Sequence, residues 1–256
     1  RMMGMAWLAA EGMSMLAKPG HAPGESRSGV HGLVVAGGAY AEGPGAGWNF
    51  RERKVAKIYD RRYFDRWYRD PARPLGAPAE LRRKVALAVA QAEYYLGRPL
   101  RNVLDVGCGE AAWRAPLLAL RPRLLYQGLD ASEYVVARYG RSRGIGLARF
   151  GQLGQLRLPQ RFDLIVCSDV LHYLGPAEIR AGLGGIADML EGVAFLEVFT
   201  SRDDVIGDRE GYVARSPVWY LREFAAVGLL PCGSHCYLGP RLQQRVAALE
   251  RAQLLR

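Results

Sequence analysis

The chain has almost no lysine. Of its 35 basic residues only Lys18, Lys54, Lys57 and Lys84 are lysine; against 25 acids the net charge is +10. Such a balance suits a polyanionic partner such as nucleic acid. The cations are spread along the chain, richer only from Arg51 to Lys84, which equally fits a genome that writes arginine wherever a cation is tolerated. Cysteine is scarce too, at four residues. Cys108 and Cys167 fall in or beside apolar runs, where cysteine acts as a small hydrophobe. Cys232-x-x-His235-Cys236 lacks the second half that a zinc site needs, so no metal is expected. This usage fits a reducing cytoplasm. There is no run of 18 apolar residues, so a membrane-spanning helix is not expected. Met2 to Ala10 is apolar but short and cut by Glu11, which argues against a secretory leader. The chain opens on Arg1, as a fragment, a fusion or a mis-called start would. No internal repeat is visible.

What is present is an α/β pattern. Half of the 256 residues are apolar, enough for one α/β core with an appendage. Residues 1–48 are rich in Gly, Ala, Ser, Pro and Met without periodicity and read as a disordered segment. Residues 49–98 read as a helical lid. Asn49 can cap a helix toward Tyr68, in which Tyr59, Tyr63 and Trp67 share a face and Phe64 and Tyr68 form an adjoining line. A second helix is expected over 78–96, with Leu81, Val85, Ala88 and Ala92 inward. Residues 99–256 alternate strand and helix. Strands are expected near 102–107, 124–129, 146–150, 162–168 and 192–199, and helices near 111–120, 132–142, 176–190 and 217–227. A last strand over 229–238 and a helix over 240–255 follow. This alternation implies a doubly wound, mostly parallel sheet with helices on both faces.

In such a sheet the ligand lies beyond the carboxyl ends of the strands, where strand order switches. Four expected strand ends carry polar or glycine residues: Asp105 to Gly109, Asp130-Ala131, Gly151-Gln152, and Ser168 to His172. Gly107 and Gly109 close a turn that lets backbone approach a ligand. Asp105, two places before Gly107, suits a cationic ligand and would repel a pyrophosphate, which weighs against a nicotinamide dinucleotide. An acid at position 130 can accept both hydroxyls of a ribose. The set points to an adenosine-containing cofactor. Plainer readings stand beside it. The glycines can form an ordinary strand–helix turn, Asp130 can cap the next helix, and the aromatic line can be core.

Val103-Leu104-Asp105-Val106-Gly107-Cys108-Gly109, with Asp130 and the segment Phe162 to Leu174, resembles the class I S-adenosylmethionine-dependent methyltransferases of small-molecule type over residues 100–236. The resemblance implies S-adenosylmethionine as cofactor. Asp105, Gly107, Cys108 and Gly109 would lie at its methionine part, Asp130 and Ala131 at the ribose, Gly151 and Gln152 at the adenine, and Ser168 after the fourth strand. It implies a lid whose Tyr59, Tyr63 and Trp67 line the substrate side, with Tyr173 and Trp219. Two positions depart from the family pattern: Ala111 replaces a third glycine and Gln152 replaces an acid.

The implied reaction is in-line methyl transfer to a small-molecule O or N nucleophile, with His172, supported by Asp169, as the base if one is needed. Two rivals remain. An RNA or other nucleic-acid methyltransferase is favoured by charge, but the Asn/Asp-Pro-Pro-aromatic loop and the Pro-Cys nucleophile are missing. A non-catalytic cofactor-binding accessory subunit is the other.

Overall fold

The computed structural model describes residues 57–70, 78–156, 158–205 and 207–247. The segment read as disordered, the Asn49 cap and the second half of the last expected helix lie outside them. Arg53–Arg256 form one compact unit.

The lid begins with α1 (Arg61–Phe64), which continues as a π-helical turn over Asp65–Arg69. Its cap is Asp60, whose carboxylate accepts the Tyr63 amide at 3.0 Å. Tyr59 therefore precedes the helix, and the wider π turn displaces Trp67 from the face that a uniform 3.6-residue period gives it. α2 (Pro78–Leu96) buries Val85, Ala88, Val89 and Ala92 and stops at Gly97, which takes a positive φ of 66°.

The alternation follows as β1 (Asn102–Val106), α3 (Arg114–Leu120), β2 (Leu125–Asp130), α4 (Glu133–Arg143), β3 (Ile145–Leu147), β4 (Phe162–Ser168), α5 (Pro176–Met189), β5 (Leu190–Glu197), α6 (Pro217–Ala226), β6 (Leu230–Gly233) and β7 (Cys236–Leu238). The sheet order is β3-β2-β1-β4-β5-β7-β6. β1 to β5 pair in parallel; β7 runs antiparallel to both β5 and β6. The class is thus α/β, doubly wound and mostly parallel.

Alternate residues of each central strand enter opposite cores. Leu104, Ile165, Cys167, Ala194 and Leu196 pack with α5 and α6. Val103, Leu164, Val166, Val193 and Phe195 pack with α2 and α3. A third cluster joins Phe64 of the lid to Cys108, Ala111, Val135 and Ile145.

After the lid, three further elements differ from expectation. The last strand is a hairpin, because Ser234 and His235 both adopt positive φ and reverse the chain between β6 and β7. That hairpin completes a seven-stranded sheet. The third strand ends at Leu147, and Phe150–Gln155 winds into a 3-10 turn. Residues 241–245 form turns, followed by a bend at Val246, where the expected helix begins.

Candidate functional site

The chain runs outward from β1 to β2 and β3, then returns to place β4 on the other side of β1. The reversal opens a crevice between the carboxyl ends of β1 and β4, the position that binds ligands in doubly wound sheets. Gly107 and Gly109 lie there with φ of 69° and 51°. A Cβ on Gly107 would stand 2.3 Å from Val170 Cγ2, so only glycine keeps the turn against the segment after β4. The Gly107 and Cys108 amides both donate to the Leu129 carbonyl, at 2.7 and 3.1 Å. Ala111 also takes a positive φ, 62°, with its side chain buried in the lid cluster. The turn therefore keeps a left-handed conformation where the family has a third glycine, at a cost of about 1–2 kcal/mol.

Asp130, at the end of β2, accepts the Gly109 amide at 2.8 Å through Oδ2 and the Ser132 amide at 2.8 Å through Oδ1. Ser132 itself caps α4. Each carboxylate oxygen still has acceptor capacity. Burial raises the Asp130 pKa against these amide hydrogen bonds, which lower it. Asp105 is also buried and accepts the Tyr126 hydroxyl at 2.7 Å. Burial lifts it to about 7, the Tyr126 hydrogen bond opposing and the Asp130 charge adding. Two buried carboxylates thus face one turn, a setting that favours a cation and hydroxyl donors. Cys108 is buried behind the turn and burial pushes its thiol up, so it packs rather than reacts.

Gly151 and Gln152 lie on the 3-10 turn. The Gln152 side-chain oxygen accepts the Arg149 amide at 2.9 Å and fixes that turn. α5 supports it through glycines: a Cβ on Gly182 would meet Phe150 Cδ1 at 2.1 Å, and one on Gly185 would meet the Gly154 amide nitrogen at 2.4 Å.

After β4, the Ser168 hydroxyl donates to Glu197 Oε2 at 2.7 Å, and Lys84 pairs with Glu197 Oε1 at 2.7 Å. Asp169 follows with φ of 60°. Its side chain keeps contact with solvent, yet the protein around it, and then the Glu197 charge, raise it to about 6. His172 is buried among Tyr173, Phe199 and Tyr212. Burial first, then the Lys57 charge, lower it to about 4, opposed by Asp208; the carboxylate acting on the ring is Asp208, not Asp169. His172 Nδ1 accepts the Phe199 amide at 3.4 Å, which assigns the neutral ring's proton to Nε2.

Tyr59, Tyr63 and Tyr173 come together around the Lys57 ammonium. Trp219 stands apart on α6, under the Arg215 guanidinium and edge-on to Tyr220. Tyr68, Lys57, Asp208 and Glu197 were not among the expected site residues. Tyr68 reaches the glycine turn: a Cβ on Gly109 would lie 2.4 Å from its hydroxyl. The signal for Tyr68 was the second aromatic line, Phe64 and Tyr68; the other three sit in coil or at a strand end, where no periodicity marks them. Among the described residues no group of His, Cys, Asp and Glu could hold a metal. A cleft of about 680 Å³ lies elsewhere, lined by Arg161, Asp188, Glu191, Arg241 and Arg245 around the end of α5.

Residues 104–192 match the family model described as a methyltransferase domain. They span β1, the glycine turn, Asp130, β4 and the start of β5. These residues are therefore similar to a methyltransferase domain. Over 150 residues the chain is 32% identical to nodulation protein S of Rhizobium tropici, covering 56% of the chain and 60% of that relative's length. A S-adenosylmethionine-dependent methyltransferase of Archaeoglobus fulgidus shares the fold, with a TM-score of 0.50 at 14% identity over 65% of this chain and 72% of the other.

Proposed function

We propose that this protein transfers the methyl group of S-adenosylmethionine to an O or N nucleophile of a small molecule, in the crevice between β1, β4 and the lid. The observation that carries this reading is the pairing of the Gly107–Gly109 turn with the Asp130 carboxylate at the switch in strand order. Bound there, S-adenosylmethionine supplies a methyl group on a cationic sulfur that is itself a good leaving group. The residues fit it. Asp130 has free acceptor capacity for ribose hydroxyls, and the turn lets main chain approach the methionine part. Asp105 supplies negative charge, and Gly151 and Gln152 border the adenine side.

With the leaving group provided, the protein's task is to orient the acceptor and exclude water. The lid does the second. Phe64 is buried beside the turn, and the Ser132 hydroxyl donates to the Tyr59 carbonyl at 2.5 Å. Arg69 donates to Glu110 at 2.5 Å. For the first, His172 offers an Nε2–H as donor to an acceptor oxygen or nitrogen. Asp169, ionised at neutral pH, takes the proton that a hydroxyl or ammonium acceptor must lose.

The test is incubation with S-adenosylmethionine labelled in its methyl group and a panel of small hydroxyl, amine and RNA acceptors. Label appearing in a small molecule, with a rate in Asp169→Asn reduced about 10²-fold or more, is the expected result. Label found only in RNA would replace the small-molecule reading.

A further inference from the structure

The ammonium of Lys57 sits in a built cation site. Its Nζ lies 4.0 Å from the ring centre of Tyr173, 5.2 Å from that of Tyr63 and 5.4 Å from that of Tyr59. It pairs with the Asp208 carboxylate and donates to the Glu210 carbonyl at 2.9 Å. The side chains of Lys57 and Asp208 are only 12% and 9% exposed. The walls come from three parts of the fold: Tyr59 and Tyr63 from the lid, Tyr173 from the segment after β4, and Asp208 and Glu210 from the loop between β5 and α6. The Tyr173 hydroxyl donates to the Asp208 carbonyl at 2.7 Å and ties two of them together.

Aromatic faces around a carboxylate are the chemistry that selects an alkylammonium. Asp208 Oδ1 accepts the Glu210 amide at 2.9 Å and Oδ2 faces the ammonium, and a carboxylate this buried favours a charged occupant over a neutral one. Lys57 is not needed to hold the lid down. Ser132 to Tyr59, Arg69 to Glu110 and the buried Phe64 dock it independently. The cage also adjoins the side chains nearest the proposed reaction: the Tyr173 ring packs tilted against His172, 4.2 Å between ring centres.

We propose that Tyr59, Tyr63, Tyr173 and Asp208 form the subsite for an alkylammonium group of the acceptor substrate, and that Lys57 fills it until that group displaces it. The subsite reads charge and sets no condition on which atom takes the methyl group. Only the word acceptor rests on the methyltransferase reading; the cation site stands on its own geometry.

The probe is n-butylammonium chloride, which reproduces the lysine side chain, compared with sodium chloride at equal ionic strength. In Lys57→Ala the amine is expected to raise the unfolding midpoint by about 3 °C or more where sodium does not. The shift should vanish in Lys57→Ala with Asp208→Asn. In the wild type, tyrosine fluorescence should report saturable binding at roughly tenfold or higher concentration, because Lys57 competes for the cage. If Lys57→Ala folds only with the amine present, that supports the site; if it folds in neither salt, or shows equal midpoints in both, the proposal fails. Binding to Lys57→Ala without saturable binding to the wild type would make Lys57 a fixed latch and overturn the proposal. S-adenosylmethionine binding is titrated on the same samples, so loss of the cofactor reading and loss of the cation site are separate results.

Discussion

Asp105 and His172 are buried groups driven in opposite directions. The Asp105 carboxyl is raised to about 7 and the His172 imidazole lowered to about 4, in both cases mainly by burial. In the ligand-free protein Asp105 holds its proton above the unfolded carboxylate range, so its contribution to stability falls as pH rises from about 4 to 7. His172 stays neutral below the unfolded imidazole value, so its contribution is lost as pH falls from about 6.5 to 4. The two trends oppose each other over that window. Binding of a cationic cofactor favours the ionised Asp105. At pH 6, binding should therefore release close to one proton, and affinity should rise by up to about tenfold per pH unit until Asp105 is ionised. Calorimetry in buffers of different ionisation enthalpy counts that proton. Equal heats in all buffers at pH 6 would show that Asp105 does not respond to the cofactor. None of this is visible in the residue string, which marks Asp105 by position but not its burial or its Tyr126 partner.

At the scale of elements, the proposed adenine side depends on how closely the 3-10 turn Phe150–Gln155 approaches α5. Gly182 and Gly185 lie three residues apart on one face of α5 and admit the turn's backbone. Gly185→Ala would put a methyl group 2.4 Å from the Gly154 amide nitrogen, and neither backbone can yield cheaply. We expect a loss of about 2 kcal/mol or more in unfolding stability, with weakened cofactor binding. Denaturant melts and a cofactor titration of the same variant check both; unchanged stability would mean that the turn is free to shift. Strands were legible where burial on both faces makes long apolar runs, as in Phe162 to Ser168. Helix α2 was legible from its period. The β6–β7 hairpin was not, because its turn uses Ser234 and His235 in left-handed conformations that carry no glycine signal, although Gly233 stands just before them. The lid helix was extended too far because Tyr59, Tyr63 and Trp67 repeat every four residues through a segment that is coil, α and π in turn.

At the scale of the molecule, residues separated by more than a hundred positions meet at one crevice because the strand order reverses between β1 and β4. The glycine turn and Asp130 could be read as a pair from the alternation of elements alone. Lys57 and Asp208 could not, since 151 positions and no pattern separate them. The whole fold converges on Asp130, whose carboxylate joins the turn after β1 to the cap of α4 and has acceptor capacity left for a ligand. The most direct measurement is calorimetric titration of the wild type and Asp130→Ala with S-adenosylmethionine and S-adenosylhomocysteine, each protein first shown to be folded by circular dichroism. The account predicts binding of both ligands by the wild type, weakened about 100-fold or more in the variant through loss of a charged hydrogen-bonding group. A folded wild type that binds neither ligand, or a folded variant that binds both as tightly as the wild type, would contradict it.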